Sequence, residues 1–131
     1  MSEHLAAIDA SCYVLDCLWN MSVPMVEERY EPFIRNLRMK RPGVPIVMAE
    51  RSDVYGDGRY RAYDTYLKEL YAKLKAEGWT GLVYLPHDAM YAPDGEGTVD
   101  GTHPNDWGMM AMAKAFGAAV KEALKLRSMP R

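Results

Sequence analysis

An aspartate and a histidine three residues apart, Asp100 and His103, stand in the stretch VDGTHPNDWG, Val99 to Gly108. A carboxylate bonded to one imidazole nitrogen fixes the tautomer and leaves the other nitrogen free to take a proton from a hydroxyl nucleophile. Three-residue spacing within one turn permits that contact. The competing reading is structural: Asp100 and Gly101 make a turn, while His103 packs or is solvated. Position favours chemistry, because the stretch follows a strand and precedes a helix for which Asn105 is a good N-cap.

Three segments would have to position such a pair. CYVLDCL (Cys12 to Leu18), PIVMAE (Pro45 to Glu50) and LVYLP (Leu82 to Pro86) are short apolar runs that suit strands buried on both faces, with Asp16 the anomaly in the first. A helix is expected from Ser22, with Ser22 as N-cap and Val26, Tyr30, Phe33, Ile34 and Leu37 on its buried face; Pro32 should kink or divide it. Tyr63, Leu67, Leu70, Tyr71 and Leu74 mark a second helix, from about Tyr60 to Ala76, with Gly78 as its stop. Met109, Met112, Ala113, Phe116, Val120 and Leu124 form the expected buried stripe of a third. Alternation of this kind implies one α/β domain over residues 1–131, a three-layer sandwich around a parallel sheet.

In an open parallel sheet ligands bind beyond the carboxyl ends of the strands. Trp19 and Asn20 follow the first strand, Glu50 to Asp53 the second, and the loop bearing Asp100 and His103 the third. Glu50, Arg51 and Asp53 could position a polar substrate or form a solvated loop. His87 and Asp88 could join Asp100 and His103 around a metal, but no HxH or HxxxH spacing supports this, and no metal or cofactor is expected. Tyr55, Tyr60, Tyr63, Tyr66 and Tyr71 could line a sugar groove, although Tyr63 and Tyr71 fit the buried stripe better. The Gly-rich DGEG and DGTH lack the context of a phosphate cradle or a calcium loop.

Composition narrows the partners. A net charge of -2 and a pI near 5.9 supply no basic field for nucleic acid. No apolar run reaches membrane-spanning length, and the acidic N-terminus does not read as a signal peptide, so a cytoplasmic location is expected. Cys12 and Cys17 would point to opposite faces of an extended segment, which argues against a disulfide between them; both read as small buried hydrophobes in a reducing compartment. Most of the ten methionines are expected to fill gaps in the core.

The block VDGTHPNDWGMMAMA resembles the closing block of the SGNH, or GDSL-like, hydrolases, in which a D-x-x-H-P turn supplies the acid and base of a Ser-His-Asp triad. YVLDCLWNMS is similar to the family block whose Asn completes an oxyanion hole, a role that falls on Asn20. The resemblance runs from about residue 8 to about residue 126. It implies a flavodoxin-like SGNH fold and hydrolysis of small acyl or acetyl esters, with His103 as base, Asp100 orienting it and Asn20 as an oxyanion donor.

The family's G-D-S block, which bears the nucleophile, and its oxyanion Gly block have no counterpart here. Ser2, Ser11, Ser22, Ser52 and Ser128 stand in other contexts. The chain therefore looks like the C-terminal portion of a family domain that lacks its first strands. An exposed sheet edge would then invite a second copy or a complementing N-terminal segment.

Overall fold

The computed structural model describes residues 1–52, 61–92 and 94–128. Four helices, α1 (Ser2–Ala6), α2 (Val23–Lys40), α3 (Arg61–Ala76) and α4 (Asp106–Ser128), accompany three strands, β1 (Tyr13–Leu15), β2 (Ile46–Ala49) and β3 (Leu82–Leu85). The sheet has the order β1-β2-β3 and is parallel throughout, with Tyr13 opposite Ile46 and Ile46 opposite Leu82.

Side-chain alternation along the strands builds two cores. Tyr13, Leu15, Ile46, Met48 and Leu82 point to one face, where they meet Val26, Tyr30, Ile34 and Leu37 of α2 and Leu67, Leu70 and Leu74 of α3. Val47, Ala49, Val83 and Leu85 point to the other face and pack on Ala119 and Ala123 of α4. Helices on both faces make the expected three-layer α/β sandwich. The two connecting helices lie on one face, as crossovers of a single hand require.

Local chemistry sets the helix ends. Ser22 has the extended backbone of an N-cap but makes no side-chain cap bond, and Pro24 lies in the first turn of α2, where its missing N–H costs nothing. α3 ends at Gly78, whose φ of 85° lets the chain reverse while the Trp79 N–H donates to the Leu74 carbonyl. At the surface, Glu31 accepts from Arg35 and from Lys73, tying α2 to α3.

Several expectations need correction. β1 stops at Leu15, because Asp16 is exposed and the chain turns into a 3-10 helix at Leu18–Asn20. β1 is also buried on one face only: Val14, on the α4 side, is 40% exposed. Pro32 neither ends nor divides α2, since it sits on the exposed side, where the carbonyl it leaves unbonded can face water. The stripe expected on α4 holds only in part. Met112 and Phe116 pack against the sheet as expected, but Met109, Ala113 and Leu124 are exposed, and the buried positions are the small Ala119 and Ala123 on the sheet and Gly108 against the Gly97 loop.

Of the methionines, Met48 and Met90 are buried, while Met1, Met39, Met109 and Met110 are exposed. Cys12 and Cys17 are free thiols as expected, but half-buried rather than fully buried. Burial pushes both thiols up from their ordinary range. Among the described residues no helix is long and apolar enough to cross a membrane.

Candidate active site

The Asp100–His103 turn is built by its own backbone. The Asp100 carboxylate accepts from the Thr102 N–H at 3.0 Å and the His103 N–H at 2.8 Å, which folds the loop back on itself. Gly101 takes φ 86°, a left-handed conformation that favours glycine, and its N–H donates to the Thr98 hydroxyl. Below the turn, the Val99 N–H bonds the His103 carbonyl, and Thr98 bridges Pro104. These bonds bring the Asp100 Oδ2 to 2.7 Å from His103 Nδ1.

Helix α4 anchors the other end of the turn. The Asn105 side-chain oxygen accepts from the Gly108 N–H at 3.0 Å, the expected N-cap bond, and the Asn105 side-chain amide donates to the Glu96 carbonyl. His103 and Asp100 themselves are open to solvent, with side chains 75% and 51% exposed. Hydrogen bonds from the His103 backbone, the His103 ring and the Thr102 backbone hold the Asp100 carboxyl down to about 2. It is therefore an anion at neutral pH. With the ring proton on Nδ1, the imidazole keeps a lone pair on Nε2 for an incoming proton.

Asn20 ends the 3-10 helix after β1 and is exposed. It follows β1 at the carboxyl end of the sheet, as the Asp100–His103 loop follows β3, and no hydrogen bond joins it to that pair among the described residues. A hydrogen bond and a cation–ring contact brace its segment. Tyr63 donates to the Met21 carbonyl at 2.9 Å, and the buried Arg51 guanidinium lies 4.0 Å from the ring of Trp19 and 4.9 Å from that of Tyr63. Arg51, expected in a loop, is thus a buried cation between two aromatic faces. Asp53, Tyr55 and Tyr60 lie outside the described residues.

The remaining tyrosines do not assemble a groove. Tyr63 is buried, and Tyr71 packs against Tyr84 with ring centroids 5.2 Å apart and planes tilted by 43°. Ser52 lines a narrow cleft with Tyr91, Thr98, Thr102 and Pro104, which makes it the described serine beside the His103 turn.

Sequence reasoning missed one cluster. His87 does not gather with Asp88, Asp100 and His103; its Nδ1 lies 2.7 Å from Glu50 and 3.6 Å from Asp64. Glu50 is 4% exposed and also accepts from the Tyr84 hydroxyl and the His87 backbone N–H. Burial, followed by the bond to Glu50, raises the Tyr84 phenol far above its ordinary range. The available signal was positional, since Glu50 directly follows β2 and His87 lies two residues beyond the end of the neighbouring β3.

The arrangement is that of a parallel α/β protein with an aspartate–histidine turn beyond the carboxyl ends of its strands. The chain belongs to the GDSL-like lipase/acylhydrolase family, whose model matches residues 1–121. It is similar to a solved protein of Bacteroides ovatus described as a GDSL-like lipase, with 32% identity and a TM-score of 0.83 over 95% of this chain and 39% of that one. A salicylyl-acyltransferase from a tetracycline biosynthetic pathway shares the fold at 16% identity and a TM-score of 0.73, covering 98% of this chain and 42% of that one. The chain thus spans about two fifths of the length of these solved relatives. No curated protein matches it.

Proposed function

We propose that this chain carries the acid, base and oxyanion amide of a Ser-His-Asp ester hydrolase acting on small acyl or acetyl esters. The observation that supports the reading best is the 2.7 Å contact between Asp100 and His103 in a turn built for it. In the reaction, a serine hydroxyl loses its proton to His103 Nε2 as its oxygen bonds the ester carbonyl carbon. The carbonyl electron pair moves to oxygen, where the Asn20 side-chain N–H donates. Collapse of this intermediate breaks the ester C–O bond, and His103 returns the proton to the departing alcohol. Water repeats the sequence on the acyl-serine and frees the acid. A lost oxyanion donor of this kind costs ~10²–10³ in rate.

The test is covalent labelling of the purified chain with a fluorophosphonate ester, read by intact mass, beside His103→Ala. A gain of one probe mass in the wild type alone supports a nucleophile within this chain, and peptide mapping should then find Ser52. If neither folded protein gains mass, this polypeptide does not hydrolyse esters by itself.

The exposed Val14 and the apolar residues on the outside of α4, Met109, Met110 and Leu124, favour a second reading. In it, the free edge of β1 pairs with a segment bearing the family's G-D-S and Gly blocks, which supplies the serine, or with a second copy of the chain. A stable monomer by size-exclusion light scattering excludes an obligatory homodimer. Labelling that depends on adding a G-D-S-bearing segment identifies a split enzyme.

A further inference from the structure

We propose that Glu50, Asp64 and His87 bind a divalent transition-metal cation of the zinc class, at a site distinct from the Asp100–His103 turn. Three elements deliver the ligands: Glu50 directly follows β2, His87 opens the short 3-10 helix His87–Met90 beyond β3, and Asp64 lies in the first turn of α3. One ligand atom from each lies within 4.8 Å of the others. Around a zinc ion, bonds of ~2.0–2.2 Å set the ligand atoms roughly 3.4 Å apart in a tetrahedron. An adjustment of about an ångström, within reach of side-chain rotation, closes the set.

The donor chemistry selects the ion. One imidazole nitrogen with two carboxylates is a borderline set that suits zinc, whereas magnesium and calcium prefer oxygen alone. The surroundings resemble the supporting bonds of metal sites. Tyr84 O–H and the His87 N–H both donate to Glu50, which fixes that carboxylate in a place where it is almost wholly buried. His87 Nδ1 already points at both carboxylates, at 2.7 Å and 3.6 Å. On binding, the metal takes the Nδ1 lone pair, and the ring proton resides on Nε2. The His87 side chain is 38% exposed, which leaves a side of the cluster open for a water as fourth ligand.

The site uses neither Asp100, His103 nor Asn20, so it stands or falls apart from the esterase reading. The experiment titrates chelator-stripped chain with zinc chloride, and separately with magnesium chloride, by calorimetry and thermal melting. A Cys12→Ser, Cys17→Ser background removes the thiols as competing ligands. The expected result is one zinc per chain and a raised melting temperature, with affinity at least tenfold weaker in His87→Ala and in Asp64→Asn and unchanged in His103→Ala. Circular dichroism confirms that each variant is folded, and Asp64→Asn serves if His87→Ala is not. Absence of zinc binding by the folded thiol-free chain overturns the proposal. So does equal affinity in the folded variants, or magnesium binding as tight as zinc.

Discussion

Two glycines of α4 should respond in opposite directions to the same methyl group. Gly108 lies where the first turn of α4 meets the loop before the Asp100–His103 turn, and a Cβ there would overlap the Gly97 carbonyl oxygen and stand 3.2 Å from Pro104 Cβ. That carbonyl cannot retreat freely, because it accepts the Asn105 N–H at 3.0 Å. Gly108→Ala gains about 1 kcal/mol of helix propensity. Against this, overpacking against fixed backbone costs about 3 kcal/mol, the upper end of the usual range. The net is a loss of about 2 kcal/mol, which for a domain of this size lowers the melting temperature by roughly 6–10 °C.

Gly117, nine residues further along the same helix, has nothing within 4 Å of its would-be Cβ. Gly117→Ala keeps the propensity gain of about 1 kcal/mol and should raise the melting temperature by roughly 3–5 °C. Urea unfolding of both variants beside the wild type measures the contrast. Gly108→Ala as stable as Gly117→Ala would refute the close approach of the loop to α4, and with it the account of how that helix anchors the Asp100–His103 turn.

Other consequences are simpler. The Tyr30 hydroxyl is buried with no hydrogen-bond partner among the described residues, so Tyr30→Phe should be neutral or stabilise the fold by up to about 1 kcal/mol in urea titrations. Burial raises the Tyr30 phenol well above its ordinary value; its contribution is intact below pH ~10 and is lost as pH rises toward the folded value, so the phenylalanine variant should lose stability less steeply in alkali. For Asp100 the sign is reversed. Its folded value of about 2 lies below the ordinary carboxylate range, so its contribution is present above pH ~4 and disappears as pH falls toward 2, a titration that carboxyl NMR should resolve and Asp100→Asn should abolish. Leu67→Ala, at a fully buried position, should cost about 2–5 kcal/mol by the same urea assay.

The architecture was readable because β2 and β3 are buried on both faces, and such strands appear as unbroken apolar runs between amphipathic helices. The same logic found only part of the buried face of α4, at Met112 and Phe116. A stripe drawn through large apolar side chains finds Met109 and Leu124, but the closest packing on the sheet is made by Ala119 and Ala123, which carry little hydrophobic signal. Val14 was assigned to a buried run because the pattern of a strand does not disclose what covers each of its faces. At the site, Asp100 and His103 were legible because their contact is local, three residues within one turn. Glu50, Asp64 and His87 were not, since three separate elements bring them together. Arg51 escaped for the same reason, being held by rings from two other segments.

The parallel sheet also constrains how the chain reaches this state. Tyr13 pairs with Ile46, and Ile46 with Leu82, so each strand contact joins residues more than thirty positions apart. Among the described residues no hairpin joins two strands of the sheet, and loop-closure entropy has to be met before their pairing is rewarded. β2 takes part in both pairings and occupies the middle of the sheet. Its four residues are the common docking point for the two halves of the chain, and substitutions at Ile46 or Met48 should slow refolding more than comparable changes in α4, which covers the sheet only after those strands have met.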